Sequence, residues 1–320
     1  MFQQIINDIK RQFKSGTMLM KLIIVNAAVF IGFGVFKVLA FLMKWDSFYA
    51  WQMAPNGKAY KILKAEQWLA TTPDLEVLMY KPWTIFTYMF MHADGWHLFS
   101  NLLVLYFSGL IFSMYLDSKK MLRTFILGGL AGSVLFIIAY NAFPLLQEYK
   151  NATMVGASAS VMAIFVGIAT YMPNMEVKLF FMIRVKLKWL AVAYVLFDFM
   201  SIQSGVNMGG HIAHLGGAIY GFIAMSQLRQ GKDISKWLQP IIDFFQNPFK
   251  RKPRMKVVYT RDGGGTKTKK KPPRNDYDYN ESKVEKQKKV DTILDKIKVG
   301  GYESLSKQEK KFLHDFSNEV

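Results

Sequence analysis

Six apolar windows recur along roughly the first 230 residues of this chain, at positions 20–43, 96–116, 121–143, 154–171, 188–202 and 208–228. A bilayer core of about 30 Å is crossed by about 20 residues at about 1.5 Å per helical residue, so all but the short fifth window have roughly the length of a span. A chain with 51% hydrophobic residues and a positive mean hydropathy fits that reading better than a soluble one. The expected fold is therefore all-α: a polytopic membrane bundle of six transmembrane helices. Cysteine is absent, which excludes disulfides, a thiolate nucleophile and Cys-based metal sites.

Charge placement sets the expected orientation. Lys10, Arg11 and Lys14 precede the first window, Lys119, Lys120 and Arg123 separate the second from the third, and Lys178, Arg184, Lys186 and Lys188 separate the fourth from the fifth. From Arg229 onward there are 23 basic and 13 acidic residues. All these segments fall on one side, which the positive-inside rule makes cytoplasmic, so both termini are expected there. Residues 1–19 read as an amphipathic interfacial helix, with Phe2, Ile5, Ile6, Ile9 and Phe13 at helical spacing.

With that topology, windows two, four and six all run inward from the outer face, and their first turns share one depth. They open with "HADGWHLFSN", "GASAS" and "GGHIAHLGG", so four of the five histidines, Asn101 and Ser158 gather at one level. Polar groups inside a membrane are costly and usually face a bundle interior or a wet cavity. Each piece has a packing explanation by itself. Small residues let helices approach closely, and His97 and Asn101, four apart, can be interhelical glue. Together they supply every part of an acyl-transfer site. Ser158 is the candidate nucleophile and His214 the candidate base, with Gly217 and Gly221 bringing the sixth helix close to the fourth. His97, Asn101 and the first-turn N–H of Ser158 are the candidate oxyanion donors.

These motifs resemble those of the rhomboid intramembrane serine proteases. His92, His97 and Asn101 match the family's second-helix His-x4-His-x3-Asn pattern, Gly156-Ala-Ser158 its Gly-x-Ser, and His214, Gly217 and Gly221 its sixth helix. The sequence departs from the pattern at Ala159, at Met162 and in Pro82-Trp83-Thr84, where the family has a glycine, an aromatic residue and a Trp-Arg stretch. The resemblance implies a Ser158–His214 dyad that cleaves single-span membrane proteins near their outer ends, without metal or other cofactor. It also implies a supporting role for His92 and a bacterial inner-membrane location. His211, one turn from His214, is expected to line the cavity. Asp198 either faces that cavity or orients His214 as the acid of a triad.

Other readings are an inactive rhomboid-like binding scaffold, a metal-ion transporter built on His92, His97, His211 and His214, and a metalloprotease. The first would predict loss of Ser158 or His214, and both are present. The second leaves Ser158 and Asn101 unexplained, and the third lacks a His-Glu-x-x-His motif. The expected organisation is 1–19 interfacial helix, 20–228 six-helix core, 229–249 interfacial helix, 250–281 disordered basic linker and 282–320 helical hairpin. In that hairpin Ser282 with Glu285, and Ser306 with Glu309, fit capping boxes, and Gly300-Gly301 stops the first helix. The basic linker suits an anionic bilayer surface, and no nucleic-acid partner is expected.

Overall fold

The computed structural model describes residues 16–53, 59–179 and 182–246, and in the C-terminal region residues 290, 292–298, 300, 302–306, 308–310 and 312–313. Of the interfacial helix expected over residues 1–19, residues 1–15 lie outside these residues, and Met18 and Leu19 already belong to the first long helix; the 250–281 linker and the Ser282–Glu285 capping box also lie outside them. The chain divides into two units, Met1–Arg251 and Lys252–Val320.

The first unit opens with α1 (Met18–Leu42), whose start is capped by Thr17 Oγ1 accepting from Met20 N at 3.4 Å. A connecting region follows, with the antiparallel hairpin β1 (Tyr49–Met53) and β2 (Ala59–Leu63) and the short helices α2 (Lys64–Leu69), α3 (Leu75–Tyr80) and α4 (Thr84–Thr87). Then come α5 (Gly95–Tyr115), α6 (Ser118–Ala142), the single turn α7 (Pro144–Gln147) and α8 (Ser158–Tyr171). A second antiparallel hairpin, β3 (Glu176–Leu179) and β4 (Ile183–Lys186), leads into α9 (Leu187–Ser201), α10 (Met208–Arg229) and α11 (Gln239–Gln246). The six apolar windows are thus α1, α5, α6, α8, α9 and α10. Neither hairpin is signalled by the hydropathy pattern.

By length and composition, α1, α5 and α6 are each apolar and long enough to cross a membrane, while α8 is a shorter apolar helix of 14 residues. The bundle leaves large apolar side chains exposed on α1 (Ile31, Val35, Val38) and α9 (Leu196, Phe197, Phe199), surfaces suited to lipid. In contrast, α8 is buried almost all round, from Ala159 to Ala169, as expected of a helix without a polar face.

Small residues determine how α8 is held. A Cβ on Gly128 of α6 would stand 2.1 Å from Ala163 Cβ, and one on Gly132 would stand 2.5 Å from Ala159 Cβ. A Cβ on Gly217 or Gly221 of α10 would meet Ala159 O at 2.0 Å or Ala163 O at 2.3 Å. Only glycine permits backbones this close. Helix α8 is therefore packed tightly against both α6 and α10, which also touch each other at Gly132 and Gly216, and its start lies beside the first turn of α5.

The helix begins four residues later than the sequence window did. Residues 154–156 are extended instead: Thr71 and Met154 exchange backbone hydrogen bonds of 3.1 and 2.9 Å, and Gly156 N donates to Tyr88 O at 3.0 Å. Gly156 then takes φ +134°, a conformation that side-chain-bearing residues rarely adopt, and the chain turns into α8. Those external bonds compete successfully with helical ones.

After α10 the chain folds back onto the start of α6. Arg123, 5% exposed, donates from Nε to Ser235 Oγ at 3.0 Å, from Nη1 to Gln239 Oε1 at 2.9 Å and from Nη2 to Asp233 Oδ2 at 2.7 Å. Leu238 and Ile242 pack on Leu127 beside this network. Removing one side of a buried, hydrogen-bonded ion pair costs about 3 kcal/mol or more. A chain ending after Lys232 is therefore expected to melt well below one ending after Gln246 in detergent. Equal melting temperatures would show that the clamp contributes nothing.

In the second unit, residues 292–298 are helical, with Val290 and Ile293 buried. The capping box at Ser306 is formed: its N and Oγ donate to Glu309 Oε2 at 2.9 and 2.8 Å, and Glu309 N donates back to Ser306 Oγ at 3.3 Å. Hydrogen bonding from Lys296 and then from Ser306 holds the Glu309 carboxyl down to about 2, so the cap stays charged at neutral pH.

Candidate functional site

Ser158 is the first residue of α8, immediately after the Gly156 turn. The N-cap residue is Ala157, which offers no side chain to the first helical N–H groups, and the first helical bond runs from Val161 N to Ala157 O at 2.9 Å. The N–H groups at the start of the helix are thus left for a ligand, at the positive end of the helix dipole. Ser158 is partly exposed. Ser160 is fully buried, its Oγ 3.9 Å from Met89 Sδ and packed under Gly129.

Asp94 caps α5 by accepting from His97 N at 2.8 Å, which sets His97 in the first turn of that helix. Ala93 N donates to His97 Nδ1 at 3.4 Å. That bond assigns the ring proton to Nε2 and makes Nε2 a donor. His97 Nε2 and Cε1 each lie 2.8 Å from the point a Gly156 Cβ would occupy, and Ser158 Oγ lies 3.4 Å from the same point. The absent side chain of Gly156 leaves the space that imidazole and hydroxyl share. Asn101, 6% exposed, sits one turn further along and donates from Nδ2 to His97 O at 2.8 Å. Its amide has a second N–H for another acceptor. His92 is 5% exposed, with its ring 5.2 Å from that of His97 in an edge-on arrangement.

His214 lies one turn before Gly217 on α10, next to the point where that helix touches Ala159. Its Nδ1 is 3.0 Å from Asp198 Oδ1, and His211 Nδ1 is 2.7 Å from the same oxygen. A carboxylate accepts, so His214 Nδ1 carries the proton and Nε2 is left with its lone pair free, the tautomer a general base needs. Asp198, in the apolar helix α9, is 2% exposed. It is therefore a buried partner of both histidines and does not face the cavity. Among the described residues no hydrogen bond joins Ser158 Oγ to His214; such bonds are often long before substrate binds.

Residues 80–230 fit the model of the Rhomboid domain. The chain is also 30% identical over 158 residues to RHOMBOID-like protein 12, mitochondrial, of Arabidopsis thaliana. The chain contains a rhomboid domain. The alignment with the Arabidopsis protein covers 47% of each chain, so the match spans about half the length of that relative. Residues 275–319 fit a family of unknown function, DUF6576, and include the capping box at Ser306. The rhomboid match takes in α5 to α10 and leaves out α1. Every residue discussed above as part of the site falls inside it.

Proposed function

We propose that this rhomboid-domain chain is an intramembrane serine endopeptidase that cleaves single-span membrane proteins near their outer ends. The observation that carries the reading is the pairing of Ser158, at an uncapped helix start, with His214, whose Nδ1 is held by Asp198 on the neighbouring helix. In the proposed reaction Ser158 Oγ attacks the scissile carbonyl while His214 Nε2 takes its proton. The oxyanion is met by the Ser158 N–H, by His97 Nε2–H and by the free N–H of Asn101 Nδ2. His214 then returns the proton to the leaving amine, and water releases the acyl group by the same steps in reverse. Asp198 fixes the ring's tautomer and orientation and offsets its charge once protonated. No step calls for a metal or other cofactor.

His92, Gly156, Gly217 and Gly221 support the site without reacting. We place the site toward the outer face of a bacterial inner membrane, with both termini cytoplasmic, because Lys119, Lys120, Arg123, Lys178 and Arg184 all lie at the other ends of the helices. The experiment that tests the reading is incubation of the purified protein with a panel of single-span membrane proteins. Cleavage at one bond by wild type and none by Ser158→Ala is the expected result, whereas equal cleavage by both would overturn it. Because the C-terminal unit supplies no reacting group, truncation after Gln246 is expected to keep turnover within about tenfold.

Oxyanion donors act mainly in the transition state. His97→Ala with Asn101→Ala is therefore expected to lower kcat by about 10²–10³-fold or more with little change in KM. Unchanged turnover in the folded double variant would remove both residues from that role.

A further inference from the structure

We infer that Asp198, His211 and His214 form a binding site for a divalent transition-metal ion of the zinc class, and that an ion held there switches off the proposed active site. The binding stands on geometry alone; the inhibition rests on the protease reading. Two imidazole Nδ1 atoms from successive turns of α10 converge on one carboxylate oxygen of α9, at 2.7 and 3.0 Å, and the three ligand atoms lie within 4.8 Å of one another. As a set of hydrogen bonds this is lopsided: Oδ1 accepts from both rings, while the buried Oδ2 has no partner among the described residues. A cation between the three groups would answer the carboxylate's unspent charge.

The donor chemistry selects the metal. Two imidazoles and one carboxylate suit zinc and its neighbours, whereas calcium and magnesium prefer all-oxygen shells. Zinc binds such nitrogens and oxygens at about 2.0–2.2 Å, which sets tetrahedral neighbours about 3.3 Å apart. To reach that spacing the two histidine–oxygen separations would open by about 0.6 and about 0.3 Å. The side chains of His211 and His214 are 16% and 13% exposed, so an ion can reach them and water can fill a fourth position.

Inhibition follows from the tautomer. A neutral imidazole that binds a metal through Nδ1 must carry its one proton on Nε2. The ring's proton moves from Nδ1 to Nε2 with none released, and the lone pair that would deprotonate Ser158 is lost. Removing the ion restores the Nδ1–H bond to Asp198 and the base with it.

Binding is measured on full-length Ser158→Ala, which separates it from catalysis, after stripping with a chelator, dialysis against micromolar zinc and elemental analysis. About one zinc per chain is expected, falling to background when His211→Gln or Asp198→Ala is added at matched folded fraction. No zinc above those controls would overturn the site. Inhibition is read on wild type across a zinc series, with reversal by chelator. The zinc midpoint for His211→Gln, taken relative to that variant's own zinc-free rate, is expected to rise at least tenfold. Full occupancy without loss of cleavage would overturn the switch. Wild type that binds zinc but cleaves nothing even when stripped would support the site and count against the protease reading.

Discussion

Ser158→Ala is expected to reduce cleavage by about 10⁴- to 10⁶-fold, a barrier increase of about 5 to 8 kcal/mol, while Ser160→Ala stays near wild type. The two hydroxyls are two residues apart on one helix, hence about 200° apart around its axis. Ser158 looks into the space left by Gly156 beside His97, and Ser160 is sealed under Met89 and Gly129. Loss of the nucleophile removes the covalent route altogether, so the effect belongs in kcat and not in KM. Ser158→Ala is also expected to fold normally, because this partly exposed hydroxyl supports no packing contact that alanine lacks. The check is turnover of one single-span substrate by all three proteins at matched folded fraction. A Ser160→Ala loss as large as that of Ser158→Ala would show that the assignment confuses a structural serine with a catalytic one.

Asp198→Asn is expected to lower kcat by about 10² to 10⁴-fold with KM little changed. The carboxylate is acceptor-only, so it can hold only the His214 tautomer with the proton on Nδ1. An amide at the same position can present its N–H to Nδ1 and so stabilise the opposite tautomer, whose Nε2 is no longer a base. The volume is almost unchanged, which separates this effect from collapse of the helix packing. Asp198 acts through His214, so its signature is a kcat effect whose pH profile also changes, because the protonated base loses its counter-charge. A kcat within threefold of wild type and an unaltered pH profile would return the site to an unaided dyad.

The apolar windows made the helices legible to within a few residues, since a run of apolar side chains long enough to span a bilayer has few other ways to satisfy its backbone. The contact between α8 and α10 was also legible, because glycines four apart at 217 and 221 signal a close backbone approach, and they meet Ala159 O and Ala163 O. Tertiary bonding was less visible. The α8 window continued apolar from Met154, so nothing local revealed that Thr71 and Tyr88 would take the backbone bonds of Met154 and Gly156. Arg123 read as one more cytoplasmic flanking charge, yet its three partners lie more than 100 residues further along the chain. For Asp198 the available signal was cost: an acid inside an apolar 15-residue helix requires a partner. Which histidine it meets depends on how α9 is rotated against α10, and it meets both.

The central claim is that Ser158 is a nucleophile activated by His214, and covalent labelling tests it most directly. Purified wild-type protein would be reacted with a serine-directed fluorophosphonate, digested and mapped. One labelled residue is expected, Ser158, with labelling retained in Ser160→Ala, lost in Ser158→Ala and strongly reduced in His214→Ala. Labelling that persists in Ser158→Ala, or folded wild type that takes no label at Ser158, would contradict it.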